Sequence, residues 1–294
     1  VIIGIDAAGE HRLTGTARLG RSGRMLAQRG WPAFTATLVE VIGAETMYGP
    51  HPRAGAAREV MMRVVADHPM KEALELFARE IAPAGTSWAP GTTGPGGGRP
   101  AVSPVVRQAG LMCPRADVVV AVSIDGLPID RPDRQAEGTV SRQPPDADAP
   151  MPAAADFAAF TGSVVSVPLV RLAWARSGDK GDLVNIGVIA RRPDALPWLL
   201  AAVTPEVVHG YFAHLVEGPV QRFDVPGIDA VNFVLHRALG GGGTSSMRMD
   251  PLGKGFAQML LDLPLRVPAF LLDLDRDSDK DSDKDSDNLA GTAP

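Results

Sequence analysis

The sequence predicts an α/β (α+β) protein in which an α/β first domain is followed by a ferredoxin-like α/β sandwich. Hydrophobic residues make up 45% of the 294 residues, enough apolar material for one large domain or two ordinary ones. Short apolar runs alternate with amphipathic stretches, which is the pattern of proteins that mix strands and helices. Residues 131–162 are rich in Pro, Asp, Ala and Arg without any period and therefore predict a linker between two domains.

The first domain is expected over residues 1–130. Its predicted strands are residues 2–6, 12–17, 35–42 and 118–124, and its predicted helices are residues 53–66 and 70–81. The helix at 70–81 rests on Leu74, Phe77 and Ile81, which recur at helical spacing on one face, and Pro83 ends it. The run at 118–124 is continuously apolar, which is typical of a strand covered on both faces.

The second domain is expected over residues 163–270. Its predicted strands are residues 164–174, 185–190, 220–225 and 230–235, and its predicted helices are residues 194–203, 205–215 and 254–261. One small sheet with helices on one face satisfies this order, which favours the ferredoxin-like sandwich. Residues 271–294 repeat Asp-Ser-Asp-Lys, cannot bury apolar area and are predicted to form a disordered tail.

Charge and composition exclude several classes of partner. The net charge is only -5 and the basic residues are scattered, so neither nucleic acid nor an anionic membrane is an expected partner. Apolar stretches stay well short of the roughly 20 residues that a membrane helix needs. Cys113 is the only cysteine, which excludes an intramolecular disulfide and favours a reducing, cytoplasmic setting. We expect its side chain to be a buried small apolar group.

The segment 175–182, between two predicted strands, carries the strongest local signal for chemistry. Its two glycines permit a tight loop with converging backbone N–H groups, its basic residues add positive charge, and its acids could take a proton or a cation. The candidate ligand-binding residues here are Arg176, Ser177, Gly178, Lys180, Gly181 and the following Asn185, and the candidate catalytic residues are Asp179 and Asp182. The alternative is a hairpin-like connection whose polar side chains satisfy their own backbone.

A run of four glycines at 240–243 opens the second candidate segment, which ends at a predicted helix start. Ordering four glycines costs backbone entropy, so such a run indicates close passage of the chain past a ligand or another strand. The candidate ligand-binding residues are Gly241, Gly242, Gly243, Arg248 and Lys254. We expect this segment and residues 176–182 to form one anion-binding cleft; a flexible hairpin tip is the alternative.

Other polar residues give weaker signals. The glycine-rich run 94–99, with Trp88 upstream, predicts a loop in which Arg99 clamps an anion or is simply solvated. His209 and His214 are five residues apart, which is not a metal-binding spacing on a helix. His236 is the histidine best placed for acid–base work because it lies near the four glycines, with a structural role as the alternative. No structural metal or nucleotide cofactor is expected.

Several strings resemble the acyclic terpene utilisation (AtuA) family. Residues 175–191 (ARSGDKGDLVNIGVIAR), 220–239 (VQRFDVPGIDAVNFVLHRAL) and 240–254 (GGGGTSSMRMDPLGK) look like its C-terminal ferredoxin-like domain. Upstream, residues 45–50, 53–63 and 92–99 look like the end of its larger first domain. The resemblance implies that the chain is the C-terminal portion of such a protein, and that the family's N-terminal half has no counterpart before Val1.

The resemblance also implies a role in breaking down acyclic terpenes such as citronellol and geraniol, through acids handled as coenzyme A thioesters. We therefore expect an enzyme or enzyme subunit that acts on a terpenoid acid or branched acyl-CoA, by a reaction that is unknown. A homo-oligomer or a place in a larger complex is the expected assembly. The alternative is a noncatalytic assembly or ligand-binding module, and a metal-dependent hydrolase using the aspartates is a third hypothesis.

Overall fold

A computed structural model describes residues 2–4, 8–54, 57–83, 92, 98–107, 111–114, 117–119, 121–129 and 151–272. Most of the predicted linker, residues 131–150, and nearly all of the predicted tail, residues 273–294, lie outside the described residues. Trp88 and residues 93–97 of the predicted glycine-rich loop lie outside them as well.

The first part of the chain builds an antiparallel three-stranded sheet with the order β1-β3-β2. Its elements are β1 (Ile2–Gly4), α1 (Ala8–Gln28), β2 (Ala36–Ile42), β3 (Val60–Asp67) and α2 (Lys71–Arg79). Helix α1 lies close against the sheet at Gly15, where a Cβ would stand 2.6 Å from a methyl group of Val39. Leu26 of α1 packs with Ala73 and Leu76 of α2 in a small core.

Three predictions for this part are confirmed, among them the strand at 2–6, of which β1 is the described part, and two assign the wrong type of element. The strand at 35–42 and the helix at 70–81 are present, within one or two residues at their ends. Residues 12–17, predicted as a strand, belong to α1, whose glycines disguise the helix and one of which allows the close approach to Val39. Residues 53–66, predicted as a helix, contain β3, because that segment pairs with β1 on one side and β2 on the other.

The apolar run at 118–124 is not a buried strand. Only Ser123–Ile124 (β4) pairs, with Leu127–Pro128 (β5), in a two-stranded hairpin. Val118 and Val119 are 53% and 94% exposed, so the described part of the run lacks the covering layers that continuous hydrophobicity predicted. Cys113 is also exposed, and the prediction that it is buried is wrong.

The second part of the chain is an antiparallel four-stranded sheet with the order β7-β8-β10-β9, beside a two-stranded sheet of β6 and β11. Its strands are β6 (Val164–Pro168), β7 (Ala173–Lys180), β8 (Leu183–Ala190), β9 (Val220–Val225), β10 (Ala230–Leu235) and β11 (Pro264–Pro268), and its helices are α3 (Leu196–Ala202), α4 (Pro205–Tyr211) and α5 (Phe256–Leu261). Within the described residues, no helix is both long enough and apolar enough to cross a membrane.

The elements from β8 to β11 follow the β-α-β-β-α-β order of a ferredoxin-like unit, with two short helices, α3 and α4, in the first crossover, so the predicted α+β class is confirmed. The unit departs from a simple sandwich at its last strand. Strand β11 pairs with β6 outside the main sheet, and β7 occupies the edge position beside β8. Most of this edge strand, residues 175–180, belongs to the segment predicted to carry chemistry.

The helices cover one face of the four-stranded sheet and leave the other open. Side chains alternate along each strand, so Val184, Ile186 and Val188 of β8 point into the core that α3, α4 and α5 complete. The alternate side chains of each strand point to the opposite side of the sheet. On that side, Trp174 of β7 is 51% exposed and Phe223 of β9 is 50% exposed. We call this second side the open face.

Three boundaries in the second part differ from prediction. The strand predicted at 164–174 is divided into β6 and β7 by a 3-10 turn at Leu169–Arg171. The loop predicted at 175–182 is mostly strand, since β7 continues to Lys180. Residues 151–162, predicted as linker, pack on α3, where Phe157 and Phe160 lie with ring centroids 5.0 and 5.2 Å from that of Trp198.

A buried carboxylate joins the two parts of the chain. Glu40 of β2 is 5% exposed; its Oε2 accepts a hydrogen bond of 2.6 Å from Arg63, and its Oε1 accepts one of 2.9 Å from the backbone N–H of Met249. The same guanidinium nitrogen of Arg63 donates to the carbonyl of Met247. The segment that follows the four glycines is therefore held against the first sheet by both members of an ion pair.

Candidate functional site

The structure brings the two candidate segments together. Oδ1 of Asp182, in the turn between β7 and β8, accepts hydrogen bonds from the backbone N–H groups of Leu239 (3.1 Å) and Gly241 (2.9 Å). The carbonyl of Asp182 accepts a third, of 2.9 Å, from Ala238. Asp182 thus holds the start of the glycine run, and one carboxylate oxygen of this predicted catalytic residue is bonded to the protein's own backbone.

The glycine run is required partly by this contact. Gly242 is buried with φ of 92°, and a Cβ there would stand 3.0 Å from the carbonyl oxygen of Gly181. Gly240 and Gly241 also have positive φ, a region that residues with a side chain rarely adopt. Four glycines predicted close passage past a ligand or another strand, and the contact observed is with the turn between β7 and β8.

Ser177 has a structural role in place of the predicted ligand contact. It lies on the helix side of β7 and is 7% exposed. Its hydroxyl donates to the carbonyl of Gly253 at 2.7 Å, with the carbonyl of Lys254 at 3.1 Å, and accepts from the backbone N–H of Ala257 at 2.9 Å. These bonds fasten the start of α5 to the sheet and leave the hydroxyl nothing to offer a ligand.

Arg248 lies apart from the other predicted cations. Its Nη1 donates to the carbonyl of Ala238, and burial lowers its pKa, opposed by nearby Glu217, Asp182 and Glu40, which raise it. It lines a cavity of about 480 Å³ between the two parts of the chain, together with Glu40 and His214. Arg176, Lys180 and Arg248, predicted to line one anion-binding cleft, are therefore not brought together in one place, because the first two project from the open face.

Three cations, two of them from the predicted set, lie at one corner of the open face. Strand alternation places Arg176 and Lys180 on that face, two residues to either side of Gly178. A Cβ on Gly178 would stand 3.1 Å from Nζ of Lys254, so this ammonium group lies beside the glycine. Asn185 is the residue paired with Gly178 on the neighbouring strand. We call Arg176, Lys180 and Lys254, grouped around Gly178, the cationic corner.

The cationic corner has no acidic partner among the described residues. Nζ of Lys180 donates to the carbonyl of Asp179 at 3.0 Å, but none of the three cations forms an ion pair in the part of the chain that the structure describes. Gly178 and Gly187 lie diagonally to each other on β7 and β8 and carry no side chain, so the surface beside Arg176 is low at these two positions. Such a surface can receive an anion together with a flat group.

Asp179 keeps a carboxylate without a described hydrogen-bond partner, but it faces the other side of β7. Its Oδ2 lies 3.9 Å from the position of a Cβ on Gly243. The acid and the cationic corner are therefore on opposite faces of an edge strand, one residue apart in the chain. Asp179 remains the acid–base candidate of the two predicted aspartates, and its catalytic role stays a prediction.

The described contacts of the histidines do not support acid–base or metal-binding roles for them. Nε2 of His236 lies 3.0 Å from Oε1 of Gln221 on the neighbouring strand, which gives it a structural partner. His214 lies beyond the end of α4 and bonds the carbonyl of Met47 at 2.9 Å, and burial lowers its pKa. In the described ranges, no group of three or more His, Cys, Asp or Glu residues is placed to hold a metal ion.

Sequence reasoning missed two buried charges. Glu40 interrupts the apolar strand β2, and a single acid in such a run is a signal that could have been read. Arg18 is 3% exposed on α1, where nothing in the local sequence distinguishes it from the other arginines of the same helix. Only the packing of α1 against α2 shows which arginine is buried.

Comparison with known families agrees with this architecture. Residues 2–124 match the family model described as acyclic terpene utilisation family protein AtuA, and residues 167–266 match that of the AtuA ferredoxin-like domain. The second match begins in β6, ends in β11 and includes both candidate segments. No curated protein and no solved structure gives a significant match to the chain. With both of the family's models matched in sequence and over most of its length, the chain belongs to the acyclic terpene utilisation family.

Proposed function

We propose that this protein binds a terpenoid acid or its coenzyme A thioester at the cationic corner, as an enzyme or enzyme subunit of the cytoplasmic breakdown of acyclic terpenes such as citronellol and geraniol. Family membership supports the general role in acyclic terpene utilisation. The observation that carries the binding proposal is that Arg176, Lys180 and Lys254 flank Gly178 on one surface, without an acidic partner among the described residues.

Electrostatics supports an anionic ligand at this corner. Like charges held close together disfavour each other, and an anion bound among them turns that repulsion into attraction. The guanidinium of Arg176 suits two oxygens of one carboxylate or phosphate, and the two ammonium groups act as point charges on any remaining oxygen. Free acids and thioesters both meet this requirement, the first through a carboxylate and the second through phosphates.

The rest of the open face supports a ligand that also has a flat or apolar portion. Gly178 and Gly187 contribute no side chains to this face, and Trp174 and Phe223 are half exposed on the same side. Nδ2 of Asn185 donates to Asn232 at 3.4 Å, so the second N–H of that amide is left to orient a ligand carbonyl.

The exposed apolar side chains also favour a second candidate function, that of an assembly module. Trp174, Ile189 and Phe223 are 51%, 39% and 50% exposed on the open face, and exposed apolar groups in one region are typical of protein contacts. In that case the open face would pair with another subunit, as a homo-oligomer or in a larger complex.

The proposal is tested by calorimetric titration and thermal shift with coenzyme A, isovaleryl-CoA, geranic acid and citronellic acid. Arg176→Ala and Lys254→Ala should each weaken binding about tenfold, because each removes a charge-assisted contact. Arg58→Ala is the matched control, since Arg58 is an exposed arginine in the first part of the chain. Raising the salt concentration should weaken wild-type binding more than it weakens binding by the variants.

Equal affinity of the Arg176→Ala and Arg58→Ala variants would refute the site. If none of these ligands binds, and Trp174→Ala converts an oligomer to a smaller species in sedimentation experiments, the open face is an assembly surface.

A further inference from the structure

A second cavity lies between the first part of the chain and the segment that follows the four glycines, and none of its lining residues is on the open face. It has a volume of about 400 Å³, which is at the small end of the range for small-molecule sites. Much of its lining is apolar, with Val64 of β3, Leu74 and Phe77 of α2, and Val102 of the segment that follows. Residues 244–247, after the four glycines, contribute a polar side to the cavity.

One buried cation lines this cavity with most of its hydrogen-bonding capacity unused. Arg18 is 3% exposed; its Nη2 donates to the carbonyl of Phe77 at 3.2 Å, and its Cζ lies 4.6 Å from the centroid of the Phe77 ring. Its buried Nε has no hydrogen-bond partner. A guanidinium has five N–H donors in a fork that fits a carboxylate, so Arg18 presents unfilled donors to an anion.

The charge of Arg18 is also unbalanced. Glu80 is the acid that acts on it, but that carboxylate forms its ion pair with Arg21, at 2.8 Å. Burial lowers the pKa of Arg18 and Glu80 raises it, the burial effect being the larger. One helical turn further along α1, Ser22 is 1% exposed and its hydroxyl also lacks a partner. A buried, unpaired cation is costly, and a bound anion would remove that cost.

The other cation at the cavity is already committed. Arg63 lines it too, but its Nη1 is bonded to Glu40 and to the carbonyl of Met247. Among the described lining residues the only carboxylate belongs to Asp67, which lies on the same strand. Arg18 is therefore the group that can anchor an anion, and the apolar walls around it suit a hydrocarbon chain.

From this arrangement we infer that the cavity binds a small aliphatic carboxylic acid, whose carboxylate is held by Arg18 and whose chain lies against Leu74 and Phe77. The volume suits a free acid and not a complete coenzyme A thioester. This site goes beyond the proposed function, because it lies on other elements than the cationic corner and either site can exist without the other.

The experiment is isothermal titration of the full chain with octanoate and geranate, each compared with the alcohol of the same carbon skeleton, octan-1-ol and geraniol. The acids should bind, and the alcohols should bind at least tenfold more weakly. Arg18→Met should raise Kd for the acids by about 10- to 100-fold, the loss expected for charge-assisted hydrogen bonds. Arg24→Met is the matched control, because Arg24 is an exposed arginine of the same helix and does not line the cavity.

A second variant keeps the test decisive if Arg18→Met does not fold. Thr244 is an exposed residue lining the cavity, so Thr244→Trp should block it without disturbing the buried charge. Arg176→Ala should leave octanoate binding at this site unchanged, which separates a failure here from a failure at the cationic corner. Acids that bind Arg18→Met or Thr244→Trp as tightly as wild type, alcohols that bind as well as acids, or no binding at millimolar concentrations would each overturn the inference.

Discussion

The hydroxyl of Ser177 is expected to stabilise the second part of the chain strongly for its size. Ser177→Ala removes a donor to the carbonyl of Gly253 and an acceptor for the N–H of Ala257, both of which are buried. A buried polar group that loses its partner costs about 1–3 kcal/mol. Two such groups predict a loss of about 2–5 kcal/mol in the free energy of unfolding.

The measurement is urea unfolding followed by circular dichroism, with a thermal melt alongside. For a chain of this length each kcal/mol lowers Tm by about 2–4 °C, so Tm should fall by about 5–15 °C. Ser166→Ala is the matched control, because Ser166 is an exposed serine on β6 in the same part of the chain, and its free energy of unfolding should stay within about 0.5 kcal/mol of wild type. A Ser177→Ala variant as stable as Ser166→Ala would refute the structural role of this hydroxyl.

Two further changes test other contacts. Gly242→Ala should lower the free energy of unfolding in urea by about 1–3 kcal/mol more than Gly227→Ala does. Both glycines have positive φ, but only at Gly242 would the added Cβ stand close to a carbonyl oxygen, at 3.0 Å. Equal losses for the two variants would contradict this contact. His214 predicts a pH dependence. Burial lowers its pKa below that of the unfolded chain, so its contribution to stability is present above the unfolded pKa of about 6.5 and is lost as pH falls through the folded pKa. Thermal melts between pH 5 and 8 should show a smaller pH dependence for His214→Gln than for wild type, and identical profiles would show that this histidine does not control it.

Sequence patterns within single segments correctly predicted β9, β10 and α2. The bounds of β9 and β10 follow from two short runs rich in valine and phenylalanine around a turn that contains Gly227, whose φ is positive. Helix α2 follows from its amphipathic spacing. In these segments propensity, periodicity and tertiary contacts favour the same structure, so the sequence alone is sufficient.

The elements that the sequence misassigned depend on distant residues. Residues 53–66 have helical spacing, yet β3 forms there because β1 and β2 pair with it on both sides. Strand β7 was predicted to end before Ala175, since glycines and charges usually mark a loop; an edge strand tolerates them because one of its faces is solvated. The candidate site was likewise predicted only in part. The sequence indicated that Asp182 and the glycine run belong to one site, but it could not reveal on which face of β7 each side chain of the site lies.

The pairing of β6 with β11 brings together the two ends of the ferredoxin-like domain. The backbone N–H of Ala269 donates to the carbonyl of Ser163 at 3.0 Å, so the chain enters and leaves this domain at nearly one point. A domain with adjacent ends can be excised, inserted into a host loop or circularly permuted with little distortion. New termini in the β9–β10 turn, with a short linker joining the old ends, should give a permuted domain that keeps the same sheet.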